Sequence, residues 1–289
     1  MGRRTLQELT IKDNFLFAAV MMNPENCKDV LERALGFPIA HVEVSYEKSI
    51  VYHPEHKGVR LDVYAKDDRN SHYDVEIQVV KHEIFRRSRY YHSQMDMDCL
   101  LTGMDYEELP ECYVIFICDF DPVGLGKYRY TRRQTFYEDE AYEYDDGAHT
   151  IYLSTKGKNE SEVPEQLVKF LQFVGANPAE STRDFGDALV KRLQDSIAHI
   201  KADREMGERY MLFEELLKDE FRAGRTEGLA TGITEGILEL LTEVGTVPEE
   251  LRDKLETCTD VEKLRKLFKL AAKTDSVEAF EAELDDLMK

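Results

Sequence analysis

Two acidic residues, Asp62 and Glu76, stand in short segments where apolar and polar residues alternate. In 59–66, Val59, Leu61, Val63 and Ala65 fall on one side, and Arg60, Asp62, Tyr64 and Lys66 on the other. In 73–80, Tyr73, Val75, Ile77 and Val79 fall on one side, and Asp74, Glu76 and Gln78 on the other. Period-two alternation marks strands, and the intervening Asp67-Asp68-Arg69-Asn70-Ser71 is turn chemistry. The pair reads as a β-hairpin with one apolar and one polar face. A turn centred on Arg69 sets Asp62 directly opposite Glu76, about 5 Å apart at Cβ. Like charges so placed repel unless a cation neutralises them. Mg²⁺ suits such a place, taking one or two carboxylates and completing its octahedron with water and substrate phosphate. Gln78 lies two residues beyond Glu76 and projects to the same face. From spacing alone, a cation site and a solvated polar face both remain open.

The surrounding elements must hold that hairpin. Residues 14–22 read as a short apolar helix. Asn23-Pro24 supplies an N-cap followed by proline at the first helical position, and Gly36 with Pro38 supplies a stop. Residues 41–52 alternate and read as a strand, and 84–102 as a helix. The run Tyr113-Val-Ile-Phe-Ile-Cys118 is continuously apolar, which predicts a strand covered on both faces. A Gly/Pro break follows, then strands at 127–137 and 149–154 separated by an acidic segment. The resulting order is α-β-β-β-α-β followed by a hairpin. Beyond residue 160 the patterning turns helical, over 164–174, most of 183–221, and two or three short amphipathic helices in 248–289. Gly224, Gly228, Gly232 and Gly236 recur every fourth residue.

Composition narrows the class. The chain has 289 residues, 42% hydrophobic and 33% charged, which excludes a disordered chain and leaves ample length for a core. Its net charge of −20 opposes a surface coated in nucleic-acid contacts. That charge is uneven: residues 138–146 carry −6 and residues 201–289 carry −9. The five cysteines show no close pairing in sequence and read as reduced thiols of a soluble, cytoplasmic protein. No apolar run approaches the roughly 20 residues of a membrane span, so no membrane partner is expected. The 138–146 segment lacks the glycine and alternation of a calcium loop and reads as solvated. His53 and His56, without a third ligand nearby, read as surface residues.

Several stretches resemble a known family. Leu61-Asp62-Val63 with Val75-Glu76-Ile77-Gln78 is similar to the D…ExQ variant of the PD-(D/E)XK nuclease motif. The runs RSRYYHS (87–93), YVIFICDFDPVGLGKY (113–128) and ERYMLFEELLKDEFRAGRTEG (208–228) resemble the recombination-promoting nuclease and transposase family of that superfamily. The resemblance spans residues 10 to about 240. It implies an α/β restriction-endonuclease-like core, a mixed sheet flanked by helices, with a helical C-terminal region. It further implies a metal-dependent DNA endonuclease linked to recombination or mobile elements, using Mg²⁺ or Mn²⁺. Asp62 and Glu76 would hold the cation with the Ile77 carbonyl as a further ligand, and Gln78 would complete the catalytic set. Gln78 replaces the superfamily's more usual lysine. It carries no charge but can orient water or donate to a phosphate oxygen. Lys66, on the Asp62 face, is one source for the missing positive charge.

Two basic clusters provide a DNA grip. Residues 81–92 carry +3, with Arg86, Arg87 and Arg89 beside Tyr91. Residues 127–133 carry +4, with Lys127, Arg129, Arg132 and Arg133 interleaved with tyrosines. Such residues contact phosphates, or merely pair with the acid surplus. Two other functions stay open: a DNA-binding module with weak or lost catalysis, and an acidic helical interaction protein on a nuclease-like scaffold. The glycine stripe, flanked by Leu229, Ile233 and Ile237, would let two helices approach closely, as a homo-oligomer through the C-terminal helices requires, or it is a flexible hinge or a bare sequence repeat. The expected organisation is a core over 1–155, a helical region over 156–223 and a Gly-repeat helical tail over 224–289.

Overall fold

The computed structural model describes residues 4–50 and 59–288. His53 and His56 lie outside the described residues. The chain divides into two compact units, Met1–Gly207 and Glu208–Lys289.

In the first unit, α1 (Asn14–Met21) starts at Asp13, whose carboxylate accepts the Phe15 N–H. Helix α2 (Pro24–Leu35) starts at Asn23, whose side chain accepts from Glu25 and Asn26. It ends at Gly36, whose φ of 86° is the left-handed conformation that glycine adopts without Cβ strain. Strands β1 (Val42–Ile50), β2 (Val59–Asp67) and β3 (His72–Gln78) form an antiparallel meander. The β2–β3 turn is pinned by Asp67 Oδ1, which accepts from Arg69 N and Ser71 N at 2.9 and 2.7 Å. Asn70 takes φ 66° there, a conformation asparagine tolerates better than most residues.

Helix α3 (Ile84–Cys99) leads to β4 (Cys112–Cys118), which lies parallel to β3. Next come β5 (Arg129–Thr131), β6 (Gln134–Phe136), β7 (Asp139–Tyr144) and β8 (Ala148–Ser154). The main sheet has the order β1-β2-β3-β4-β8-β5, with β8 parallel to β4. Strands β6 and β7 form a separate ribbon. The expected single strand over 127–137 is therefore two. Most of the acidic segment is itself a strand, β7, exposed throughout. It pairs with β6 because backbone ladders require no apolar side chains, and Arg133 pairs with Glu143 to offset part of its charge.

Helix α3 covers one sheet face, where Tyr91 stacks near Phe116 and Met95 joins Val114 and Tyr152 in one cluster. The opposite face carries Tyr73, Tyr113 and His149 in a stack that meets Phe37 just after α2. Helices α4 (Glu165–Gly175) and α5 (Ala188–Ala202) pack with α1 and α2. Their apolar faces, including Leu167, Phe170, Leu171, Leu189 and Leu193, are buried. Residues 156–207 thus belong to the same compact unit as the sheet.

The unit boundary falls inside the 41-residue α6 (Arg204–Val244). In the second unit, α7 (Glu249–Glu256), α8 (Val261–Ala271) and α9 (Val277–Met288) build a small core. Ile237, Leu241, Leu255, Leu264, Leu267 and Phe280 are fully buried there. Gly236 faces Phe268, whereas Gly224, Gly228 and Gly232 face open space.

Candidate active site

The β2–β3 register sets Val63 opposite Val75 and Tyr64 opposite Asp74, the registration expected for a turn centred on Arg69. One step further, the Asp62 backbone N–H donates to Glu76 Oε1 at 3.1 Å, so the two acidic residues meet across the strands. Asn14, first residue of α1, donates to Asp62 Oδ2 at 3.3 Å. The central position of β3, between β2 and β4, decides the rest. Every residue of β3 is buried. Asp74 and Glu76 are 0% and 1% exposed. The polar face, left open between a cation site and a solvated surface, is roofed by α3.

Burial first, and the charge of Asp62 second, push the Glu76 carboxyl up to about 8, against the opposing pull of Arg87. Asp74 is pushed up too, by burial and then by Glu76 and Asp62, and neither of its oxygens has a hydrogen-bond partner. Three carboxyl groups therefore converge on one buried face.

Arg87 supplies the compensating charge. Its Nη2 lies 2.7 Å from Glu76 Oε2 and 2.8 Å from the Tyr91 hydroxyl, and its Nη1 donates to Gln78 Oε1 at 3.0 Å. The guanidinium also lies over the rings of Tyr91 and Phe116. The expectation placed Arg87 and Tyr91 on the DNA-facing surface. They turn instead toward the carboxylates, because positions one turn apart on α3 face the sheet together. Lys66, four residues from Asp62 on β2, sits roughly 13 Å up the strand and is exposed. It does not supply the charge.

Of the first basic cluster, Arg86 and Arg89 are exposed. The second is dispersed, because successive strand residues point to opposite faces. Lys127 pairs with Glu162 at 2.6 Å and Arg133 with Glu143. Arg129 lies beside Gly36 at the end of α2, and Arg132 is exposed beyond β5. The interleaved tyrosines are engaged too: Tyr128 donates to Glu160 and Tyr130 to Asp121. Asp121 also accepts the backbone N–H groups of Val123, Gly124 and Gly126. It thereby folds the loop that follows β4, where Cys118 lies beside Gln78.

The donors at Asp62, Glu76 and Asp74 are hard oxygens on a face with one nearby guanidinium, and two Asp74 oxygens lack any partner. Such a set fits a divalent cation of the Mg²⁺ or Mn²⁺ type. A separate group, Glu111, Asp145 and His149, also has ligand atoms within 4.8 Å of one another. It lies at the starts of β4 and β8, and His149 aligns with Tyr113 rather than with Phe116, the neighbour of Glu76. Sequence reading missed Asn14, Asp74 and the inward role of Arg87. Only the i, i+4 spacing of Arg87 and Tyr91 hinted at the last.

The mixed sheet with its roofing helix, and an acidic pair on adjacent central strands, define a nuclease-like α/β core. The family described as PD-(D/E)XK nuclease family transposase matches residues 15–222, and the chain belongs to it. No curated protein and no solved structure matches the chain. Among the described residues, no helix is long and apolar enough to cross a membrane.

Proposed function

We propose that this chain is a metal-dependent DNA endonuclease that hydrolyses phosphodiester bonds, with a role in recombination or the movement of genetic elements. Asp62 and Glu76 hold a divalent cation, Mg²⁺ or Mn²⁺, with the Ile77 backbone carbonyl as a further ligand. When bound, such an ion polarises a phosphoryl oxygen and acidifies water. Asn14 orients the Asp62 carboxylate. Arg87 holds Glu76 and positions Gln78, leaving the Gln78 amide nitrogen to donate to water or to a phosphate oxygen. Arg86, Arg89 and Arg132 contact phosphates outside the site, and Lys127 is paired with Glu162.

One observation carries the reading: a carboxylate pair spans adjacent strands on a buried face, with Glu76 at 1% exposure. Arg87 offsets one of the three carboxyl groups on this face, and burying the others without a further cation is costly. The α6 glycine stripe, open at Gly224, Gly228 and Gly232, supports a homo-oligomer through this helix.

The test is conversion of supercoiled plasmid to nicked circles in Mg²⁺. Loss of nicking in EDTA and in Asp62→Ala or Glu76→Gln is the expected result. Nicking by Glu76→Gln at the wild-type rate would remove the site from the proposal. DNA binding by wild type with no nicking in Mg²⁺ or Mn²⁺ would leave only a binding module.

A further inference from the structure

Further along the sheet face that carries the carboxyl groups, three residues distant in sequence meet at the C-terminal end of α3. Cys99 is the last residue of that helix, Cys112 the first of β4, and His72 the first of β3. His72 and Cys112 are direct neighbours across the parallel β3–β4 ladder. The Cys99 sulfur lies 3.4 Å from His72 Nδ1 and 3.9 Å from its Nε2. The Cys112 thiol is the neighbour that acts most strongly on the Cys99 thiol. The Tyr64 hydroxyl is also hydrogen-bonded to His72 Nδ1, the ring nitrogen nearer the sulfur, and so fixes the ring beside Cys99. Cys112 is 1% exposed and Cys99 half-buried, so a reagent from solvent meets Cys99 first.

We propose that Cys99 is a thiol-modification site, a nucleophile for hydroperoxides, with Cys112 as the partner that resolves the product to an intramolecular disulfide.

The electrostatics agree with this geometry. The hydrogen bond from Cys112 and then the contact with His72 pull the Cys99 thiol down to about 5, against its partial burial. Cys112 is pushed up by the same contact, so it holds its proton while Cys99 is the thiolate. Burial sends the other core thiols the opposite way, Cys27 and Cys118 each up to about 12. Asp98 opposes the Cys99 thiolate, but its carboxylate is held by Lys48 at 2.5 Å. Asp96 also neighbours this thiol pair, with burial raising its carboxyl and the Cys112 thiol lowering it.

The chemistry balances in two steps. The Cys99 thiolate attacks the distal oxygen of a hydroperoxide, the O–O bond breaks, and the alkoxide or hydroxide leaves; sulfur is oxidised to the sulfenic acid and the peroxide is reduced. The Cys112 sulfur then attacks the Cys99 sulfur, the S–OH bond breaks, and the Cys112 proton leaves with the hydroxide as water. Loss of the thiolate charge in the first step removes what had kept Cys112 protonated. The acidic neighbour Asp96 is placed to relay the proton.

The test uses the full chain and hydrogen peroxide. At pH 6, iodoacetamide should alkylate Cys99 about tenfold faster than Cys258, the thiolate gain being partly offset by weaker nucleophilicity. One equivalent of peroxide should give a Cys99–Cys112 cross-linked peptide in wild type. In Cys112→Ser it should give a dimedone adduct at Cys99, and in Cys99→Ser no oxidation at Cys112. His72→Leu, if it keeps the wild-type circular dichroism spectrum, should slow Cys99 alkylation at pH 6 severalfold but leave it above the Cys258 rate, because the Cys112 contact remains. Alkylation of Cys99 at the Cys258 rate in wild type, or dimedone spread evenly over Cys99 and Cys258 in Cys112→Ser, overturns the proposal. The readouts are independent of nuclease activity.

Discussion

Replacing Glu76 with glutamine should change the slope of stability against pH, not merely its level. The ordinary Glu76 value is 4.5, and burial with Asp62 nearby has raised it to about 8. Because the folded chain holds this proton more tightly than the unfolded chain, stability is highest below pH 4.5 and falls as pH rises through 8. At about 1.4 kcal/mol per pH unit, ionising Glu76 inside the fold costs ~5 kcal/mol more than in the unfolded chain. Glutamine cannot ionise, so Glu76→Gln should escape that loss. The substitution has a fixed cost as well. Both Glu76 oxygens accept hydrogen bonds, from the Asp62 N–H and from Arg87, and the glutamine NH₂ must face one of these donors. That conflict costs about 1–3 kcal/mol at every pH. The variant is therefore expected to be the less stable protein near pH 5 and the more stable one above pH 8.

The assay is urea unfolding in EDTA at pH 5, 6.5 and 8, followed by tyrosine fluorescence. Every tyrosine except Tyr210 lies in the first unit, so the signal reports the unit that carries Glu76. Adding Mg²⁺ should stabilise wild type more at pH 8 than at pH 5, since a cation binds the ionised carboxylate. It should leave Glu76→Gln nearly unchanged. Parallel pH profiles for wild type and variant would refute the reasoning, because they would mean that Glu76 titrates alike in the folded and unfolded chains.

Exposed Arg86 and Arg89 should contribute to DNA affinity: the double alanine variant is expected to lower the slope of log affinity against log salt by about 1.8, read by fluorescence anisotropy. Lys127→Ala should leave that slope unchanged, because Lys127 is already held by Glu162. Gly157→Ala would drive a methyl group into the buried Tyr128 ring, whose hydroxyl is tethered to Glu160. A loss of about 1–3 kcal/mol in urea unfolding is expected, and an unchanged midpoint would show that the ring can move aside.

Much of the local architecture was legible in the sequence because its causes are local. Asn23-Pro24 and Gly36 bound α2 through N-cap, proline and left-handed glycine effects that act within a few residues. The Asp67–Ser71 turn sets the β2–β3 register, and the register alone brings Asp62 opposite Glu76. Family membership was readable for the same reason, since the acidic pair and the 113–128 run are short motifs. Three decisions came from the tertiary structure. Period-two alternation separates two faces but cannot tell which one a helix will cover, so the burial of Asp74 and Glu76 under α3 was hidden. Arg87 belongs to a helix whose rotation about its axis is decided by packing, and that rotation turned a presumed phosphate contact into the partner of Glu76. Cys99, Cys112 and His72 span 41 positions and meet only because β3 and β4 are parallel neighbours beneath the end of α3. Spacing along a chain carries turns, caps and registers, whereas proximity between distant elements exists only once the sheet and its helices have packed.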